Sequence, residues 1–194
     1  MLYLVRHARH DLVGSTLVGR TAGVSLGSAG RAEAERLAAR FAGLAVAIVQ
    51  TSPRERAVET AAPIADRLGL RAEPAPGLDE IDFGAWAGRR FDELDGDPAW
   101  QAWNAERATA PTPGGETMAD AQDRVVRHIE ALRHRLGERA AILVSHADVI
   151  KAAVAHYLGL SLGALHRFEV APASVTTIRV EDWGGTLLGL NAAA

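Results

Sequence analysis

The sequence begins Met1-Leu-Tyr-Leu-Val-Arg-His-Ala-Arg-His-Asp11. Its apolar run, residues 2–5, is short and rich in strand-forming side chains, which favours a buried β-strand over a helix. The run ends in Arg6-His7, and in open α/β sheets ligands bind just beyond the carboxyl ends of the strands. Arg6 offers planar donors that suit a phosphate or carboxylate, and His7 suits a nucleophile, a base or a metal ligand.

Two later apolar stretches end in polar residues in the same way. Residues 44–51 predict a second strand, after which Ser52-Pro53 fits the beginning of a helix, with serine as the N-cap and proline at the first helical position. Residues 140–145 predict a third strand, and His146 follows it directly. The polar groups at these strand ends, with Arg54 one turn on, are candidates for a site, because helix N-termini also attract anions.

Helical patterns alternate with these strands, which indicates an α/β protein with a three-layer α/β/α sandwich. Helices are predicted at residues 28–41, 53–68, 114–136 and 148–158, with shorter helices at 89–107 that could form a lid over the sheet edge. Further strands are predicted at residues 71–75, 168–170, 174–180 and 186–190. The last two are expected to form an antiparallel edge on a mostly parallel sheet.

Composition bounds the class of protein. The chain has 194 residues, which most simply makes a single domain over residues 1–194. Hydrophobic residues make up 48% and the net charge is −3, so a globular protein without a nucleic-acid partner is expected. The absence of cysteine excludes disulfides and thiol catalysis. No apolar run approaches the roughly 20 residues that span a bilayer, and Arg6-His7 interrupts any signal-peptide pattern, so a cytoplasmic protein with no membrane partner is expected.

The motifs at these strand ends resemble those of a known family. Leu4-Val5-Arg6-His7-Ala8 is similar to the Leu-Val-Arg-His-Gly signature of the histidine phosphatase superfamily, which includes the cofactor-dependent phosphoglycerate mutases. Further segments match family motifs in the same order along the chain. Ser52-Pro53-Arg54-Glu55-Arg56-Ala57, with Thr60-Ala61, is similar to the family motif Ser-x-x-x-Arg-Ala-x-x-Thr-Ala. The other matching segments are Gly19-Arg20 with Leu26, Gly30 and Ala34; Leu78 to Gly88; Pro113-Gly114-Gly115-Glu116-Thr117; and Val144-Ser145-His146 with Val149-Ile150. The resemblance covers most of the chain and implies a phosphoglycerate mutase-like fold.

The same resemblance implies a phosphomonoesterase that works through a phosphohistidine. It assigns the catalytic nucleophile to His7, the phosphate pocket to Arg6, Arg54 and His146, and the general acid to Glu80. A neutral imidazole nitrogen suits the first step, because an anionic nucleophile would be repelled by a phosphomonoester dianion. Phosphoryl transfer otherwise depends on positioning and on donors for the equatorial oxygens, and the leaving alkoxide needs a proton.

Neighbouring polar residues receive secondary assignments. Arg20 and His10 are expected to contact the substrate, His10 in place of a hydroxyl that is common in the family. Arg56 is interpreted as a solvated helix residue. Asp79 and Asp82 are competitors of Glu80 for the role of the acid.

The chain also departs from the family pattern. Val13 replaces a phosphate-contacting asparagine, and Asp148 places a carboxylate where glycine is usual. The mutases follow their acid with arginine and, two positions later, tyrosine, whereas Glu80 is followed by Ile81 and then Phe83. The changes after Glu80 favour a phosphatase, with a phosphomutase as the alternative within the enzyme class. The departures at His10, Val13 and Asp148 motivate a third alternative, a weakly active relative that binds phosphorylated ligands.

Neither a metal nor a cofactor is expected. His7, Asp11, His146 and Asp148 could be imagined as a cation cluster, but an arginine beside a ligand histidine opposes cation binding. The expected partner is a small-molecule phosphate ester or inorganic phosphate. The identity of that ester and the formation of a homodimer are both left open.

Overall fold

The computed structural model of the chain describes residues 1–194. The strands are β1 (Leu2–Arg6), β2 (Val46–Thr51), β3 (Ala72–Pro74), β4 (Ala140–Ser145), β5 (Val175–Glu181) and β6 (Gly184–Ala192). The α-helices are α1 (Ser28–Phe41), α2 (Glu55–Leu68), α3 (Phe91–Leu94), α4 (Pro98–Ala105), α5 (Met118–Leu136) and α6 (Ala147–Tyr157). Turns of 3₁₀-helix cover Pro76–Leu78, Gly84–Trp86 and Leu162–Arg167. No helix combines the length and the apolar character that crossing a bilayer requires.

The strands form one sheet in the order β3-β2-β4-β1-β5-β6. Strands β1 to β4 run parallel, β5 is antiparallel to β1, and β6 is antiparallel to β5. The predicted sheet, mostly parallel with an antiparallel edge, is therefore confirmed.

The register of the central strands brings three polar strand ends together. The last residues of β1 and β2 lie opposite the end of β4. His7, Ser52 and His146 each follow directly on one of these strands. They therefore meet at the carboxyl edge of the sheet, where parallel α/β folds bind their ligands.

The central strand β1 sends its side chains alternately into two buried cores. Leu4 packs in one core with Val149 of α6 and the apolar face of α5. Val5 packs in the other core with Leu37 of α1 and Ile64 of α2. Successive side chains of a strand point to opposite faces, so helices cover both faces of the sheet. The predicted three-layer α/β/α sandwich is confirmed.

The short helices α3 and α4 carry an aromatic cluster. The rings of Trp86 and Trp100 lie 5.3 Å apart, and those of Phe83 and Trp103 lie 5.5 Å apart, both pairs edge to face. Such pairs stabilise a core beyond the area they bury. The segment that was expected to cover the sheet edge as a lid is thus packed into the core on the α5 and α6 side.

Three local predictions are wrong. Helix α2 begins at Glu55 rather than at Pro53, and the Ser52 hydroxyl, which accepts from the backbone amide of Arg54 at 3.3 Å, also lies 2.8 Å from a ring nitrogen of His146. Helix α5 begins at Met118 rather than at residue 114. Residues 168–170 form no strand. The carbonyl oxygen of Val170 accepts a hydrogen bond from the Arg6 side chain at 2.8 Å, so a side chain takes the place of a strand partner.

Gly30 brings α1 against the loop that follows His7. A Cβ at this position would overlap the backbone carbonyl group of Arg9. We expect Gly30→Ala to lower the free energy of unfolding by about 1–3 kcal/mol, the usual cost of overpacking, even though alanine favours a helix by about 1 kcal/mol. Urea denaturation measures this, with Gly96→Ala as the control because the added methyl there meets open space. Equal stability of the two variants would contradict the close approach.

Candidate active site

His7 lies at the centre of the site, and only 3% of it is exposed. Its Nδ1 donates a hydrogen bond to the carbonyl oxygen of Ala8 at 2.8 Å. Its Nε2 lies 3.3 Å from Nε of Arg56, and a guanidinium can only donate. The two contacts assign the proton to Nδ1 and the lone pair to Nε2. Nε2 is therefore the nitrogen that can act as a nucleophile.

The surroundings keep the His7 imidazole neutral. Burial lowers the pKa of His7 well below its usual range, and the charges of Arg56 and Arg6 lower it further. The hydrogen bond to Ala8 acts in the opposite direction without reversing the shift. The lone pair on Nε2 is consequently available across the physiological pH range.

Arg56, in the first turn of α2, is buried in the site with 1% of it exposed. The interpretation of Arg56 as a solvated helix residue is wrong. Its Nη2 donates to the carbonyl oxygen of Gly19 at 2.8 Å and lies 3.1 Å from Nδ1 of His146. The signal that could have found it is the motif Ser-x-x-x-Arg-Ala, which places its arginine four residues after Ser52.

Arg54 and Arg20 were expected to contact the substrate, but neither lines the cavity that His7 faces. Nε of Arg54 is 3.0 Å from Oδ1 of Asp79, and Nη1 of Arg54 donates to the carbonyl oxygen of Arg20 at 2.9 Å. Arg20 donates to the carbonyl oxygen of Glu80 at 2.7 Å and lies 2.8 Å from a carboxylate oxygen of Glu116. The two arginines hold the surrounding loops together, and Arg56 occupies the position beside His7 that was expected for Arg54.

A chain of hydrogen bonds orients His146, which is fully buried. Its Nδ1 accepts from Arg56, which leaves Nε2–H to donate to the Ser52 hydroxyl at 2.8 Å. That hydroxyl donates to Oδ1 of Asp79 at 3.1 Å. Burial, followed by the charge of Arg56, lowers the pKa of His146 well below its usual range. His146 is therefore neutral, with its ring 5.1 Å from that of His7.

Glu80 is the carboxyl group closest to this pair of histidines. Its Oε2 lies 3.6 Å from Nδ1 of His146, and its Oε1 accepts from the backbone amide of Ile81 at 2.9 Å. Burial, and after it the negative charge of Asp148, raises the pKa of Glu80 to about 7. Much of Glu80 is therefore protonated at neutral pH, as a general acid requires, and its contact with neutral His146 is not an ion pair.

A cavity of about 160 Å³ brings together most of the predicted site residues; its polar lining includes Arg6, His7, His10 and Glu80, together with Arg56 and Asp148. Nε of Arg6 and Nη1 of Arg56 are buried and have no hydrogen-bond partner within the chain. Unpaired buried donors are costly, and an anion with several acceptor oxygens is the natural partner for them. The cavity is thus built to bind an anion beside Nε2 of His7.

His10 contributes a third unpaired group to this cavity. Its Nδ1 is buried without a partner, and its ring stacks on that of His7 with the centroids 5.4 Å apart. Burial, with the charges of Arg56 and Arg6, lowers the pKa of His10 to about 4. A neutral imidazole can still donate one hydrogen bond to an anion.

The residues that could be imagined as a cation cluster are not arranged as metal ligands. No three His, Asp or Glu side chains are arranged to hold a metal ion. Asp148 is paired instead with Arg107, 2.8 Å away.

Comparison with known proteins places this site in a family. The family model described as the histidine phosphatase superfamily (branch 1) matches residues 2–193. The chain belongs to the histidine phosphatase superfamily. Phosphoserine phosphatase 1 of Hydrogenobacter thermophilus is 29% identical over 195 residues, covering 98% of this chain and 91% of that protein. An acid phosphatase of Mycobacterium tuberculosis is 31% identical over 181 residues, covering 90% and 83%.

The fold is shared with solved structures of histidine phosphatases. A mycobacterial glucosyl-3-phosphoglycerate phosphatase, solved in complex with VO3, superposes with a TM-score of 0.90 at 27% identity and covers 99% of this chain and 98% of its own. The fold class expected from the resemblance is confirmed. With phosphatases as its relatives, this protein is a phosphoric monoester hydrolase of the histidine phosphatase type.

Mutation can distinguish the role of Arg54 from that of Arg56. We expect Arg56→Met to lower kcat on p-nitrophenyl phosphate by about 10²–10³-fold, because a preorganised donor to the transition-state charge is removed. Arg54→Met should cost less than about tenfold, since it breaks a partly exposed ion pair outside the cavity. Steady-state kinetics with thermal melts of both variants measure this. A larger loss of kcat in Arg54→Met than in Arg56→Met would indicate that Arg54 binds the phosphate.

Proposed function

We propose that this histidine phosphatase hydrolyses a small phosphorylated metabolite through a covalent phosphohistidine on His7. The observation that carries the proposal is the lone pair on Nε2 of His7, which lies beside the unpaired donors of Arg6 and Arg56 in one cavity. Glu80, with its pKa raised to about 7, supplies an acid in the same cavity.

The first step transfers the phosphoryl group to the enzyme. Arg6 and Arg56 bind the phosphate oxygens, and Nε of Arg56 exchanges its contact with His7 for one with an oxygen. Nε2 of His7 attacks phosphorus, a P–N bond forms, and the bond from phosphorus to the ester oxygen breaks. Glu80 gives its proton to that oxygen, so the alcohol leaves neutral.

The second step releases phosphate. Glu80, now a carboxylate, takes a proton from a water molecule as the water oxygen attacks phosphorus. The P–N bond breaks, the electron pair returns to Nε2 of His7, and inorganic phosphate leaves. Glu80 ends the cycle protonated, and no metal ion is needed because the arginine donors stabilise the charge on the equatorial oxygens.

Four further residues contribute without taking part in bond exchange. His10 donates to a phosphate oxygen through Nδ1, the group left unpaired in the cavity. His146 orients the guanidinium of Arg56 by accepting a hydrogen bond from it at Nδ1. Arg20 and Arg54 act at a distance from the substrate, through the loop of Glu80 and through Asp79.

A phosphomutase is the alternative within the enzyme class, and a phosphate-binding relative of low activity is the alternative outside it. The named relatives are phosphatases, which favours hydrolysis over rearrangement. A protein that only bound phosphorylated ligands would need neither a neutral nucleophile nor an acid with a raised pKa. Free phosphate as the product, rather than a rearranged monophosphate, distinguishes the first alternative.

Covalent catalysis is tested on His7 directly. We expect His7→Ala to abolish both phosphate release and acid-labile ³²P labelling of the protein, because the variant lacks the nucleophilic Nε2 that lies beside Arg56. Rapid base quench followed by gel autoradiography measures the label, and acid treatment should remove it. His134→Ala, which removes an exposed imidazole of α5, is the matched control and should label normally. Substantial turnover by His7→Ala would contradict the covalent mechanism.

The role of Glu80 is tested by leaving group and by pH. Glu80→Gln should lose about 10²–10⁴-fold on alkyl phosphates, whose alkoxides need a proton, and much less on p-nitrophenyl phosphate. In the wild type, kcat/KM on alkyl phosphates should fall as pH rises above about 7, because Glu80 then loses the proton it must donate. Asp82→Asn is the control. A leaving-group dependence in Asp82→Asn instead would identify a different acid.

A further inference from the structure

Asp148 is an acidic group of the active-site cavity that neither chemical step uses. It lies in the first turn of α6, two residues after His146. It lines the same cavity of about 160 Å³ as His7 and Glu80. A carboxylate in a pocket that must bind a phosphate dianion works against that binding unless it has a partner of its own.

Asp148 is held in position by Arg107, which lies outside the cavity. Its Oδ1 accepts a hydrogen bond from Nη1 of Arg107 at 2.8 Å. Arg107 is held in turn by Asn104, 3.0 Å away, and by the ring of Trp103, whose centroid is 4.3 Å from the guanidinium carbon. Oδ2 of Asp148 accepts no hydrogen bond within the chain. One carboxylate oxygen is thus fixed by the protein, and the other is left for a ligand.

The charges of the cavity lining limit which alcohol can follow the phosphate. Its cationic side chains are Arg6 and Arg56, and both are directed at the phosphate. Arg107 does not line the cavity. A carboxylate on the alcohol would therefore meet Asp148 and no free cation. An ammonium group would instead meet Oδ2 of Asp148, a carboxylate whose negative charge also raises the pKa of Glu80.

The remaining lining is mostly apolar. Leu17, Phe83 and Phe91 contribute to the wall, and they suit methylene groups rather than a polyhydroxylated sugar. The cavity is open to solvent on one side, and its volume of about 160 Å³ has to hold the phosphate as well, so only a short part of the alcohol lies within it.

We propose that Oδ2 of Asp148 binds a cationic amine on the alcohol part of the substrate, so that the substrate class is short amino-alcohol phosphate monoesters. The inference rests on the proposed phosphatase function, because it places the phosphate of that ester at Arg6, Arg56 and His7. Asp148 is then a specificity-determining residue that selects the leaving alcohol.

The test compares O-phosphoethanolamine with propyl phosphate, which replaces the ammonium by a methyl group of similar size. Wild-type kcat/KM should favour O-phosphoethanolamine by about 10–100-fold, the range for a hydrogen bond to a charged group. Asp148→Asn keeps the size and the contact with Arg107 but removes the charge, and it should reduce this ratio to about unity. Taking the ratio within each enzyme cancels any effect of Asp148 on Glu80. Asp66→Asn, at an exposed position of α2, is the matched control and should keep the wild-type ratio.

The outcomes separate the inference from the function on which it rests. A wild-type ratio near unity, or an undiminished ratio in Asp148→Asn, would overturn the amine site while propyl phosphate hydrolysis still supported the phosphatase. Better turnover of O-phosphoserine than of O-phosphoethanolamine would also overturn it, since the added carboxylate has no free cation to meet. Failure of the wild type on p-nitrophenyl phosphate, with no label on His7, would instead reject the proposed function.

Discussion

The site depends on one buried guanidinium, that of Arg56, held between two imidazole rings. A buried charge is costly unless most of its donors have partners. Arg56 contacts Gly19, His7 and His146 through Nη2 and Nε, and only Nη1 lacks a partner within the chain. The same charge lowers the pKa of both histidines, so neither competes with it as a cation. The ends of β1 and β4, the loop at Gly19 and the first turn of α2 are thereby tied to a single group.

A second layer of polar contacts holds this arrangement in place. Asp79 receives the Ser52 hydroxyl on one side and lies against Arg54 on the other, and Ser52 in turn fixes the ring of His146. Networks of this kind are useful only when every member is satisfied, because an unpaired buried polar group is costly. The unpaired groups that line the cavity are therefore informative: they belong to Arg6, His10 and Arg56, where a phosphate would supply the acceptors.

Burial sets the protonation states that the chemistry needs. It favours the neutral form of every titratable group, so it lowers the pKa of His7 and raises that of Glu80 in the same cavity. A neutral nucleophile and a protonated acid can then coexist near neutral pH. The aromatic cluster around Trp103 completes the cavity, because it supports Arg107 and through it the carboxylate of Asp148.

The sequence by itself determined the layers, the helix Ser28–Phe41, the strand Ala140–Ser145 and the positions of His7 and Glu80, because apolar periodicity and short motifs are local signals. Only the tertiary structure decided which arginine enters the site. Arg54 and Arg56 are two residues apart, and side chains at that spacing on a helix do not face the same way. Which one is buried depends on how α2 packs beside β2 and β4. The pairing of Asp148 with Arg107, 41 residues away in sequence, likewise exists only because the fold brings them together.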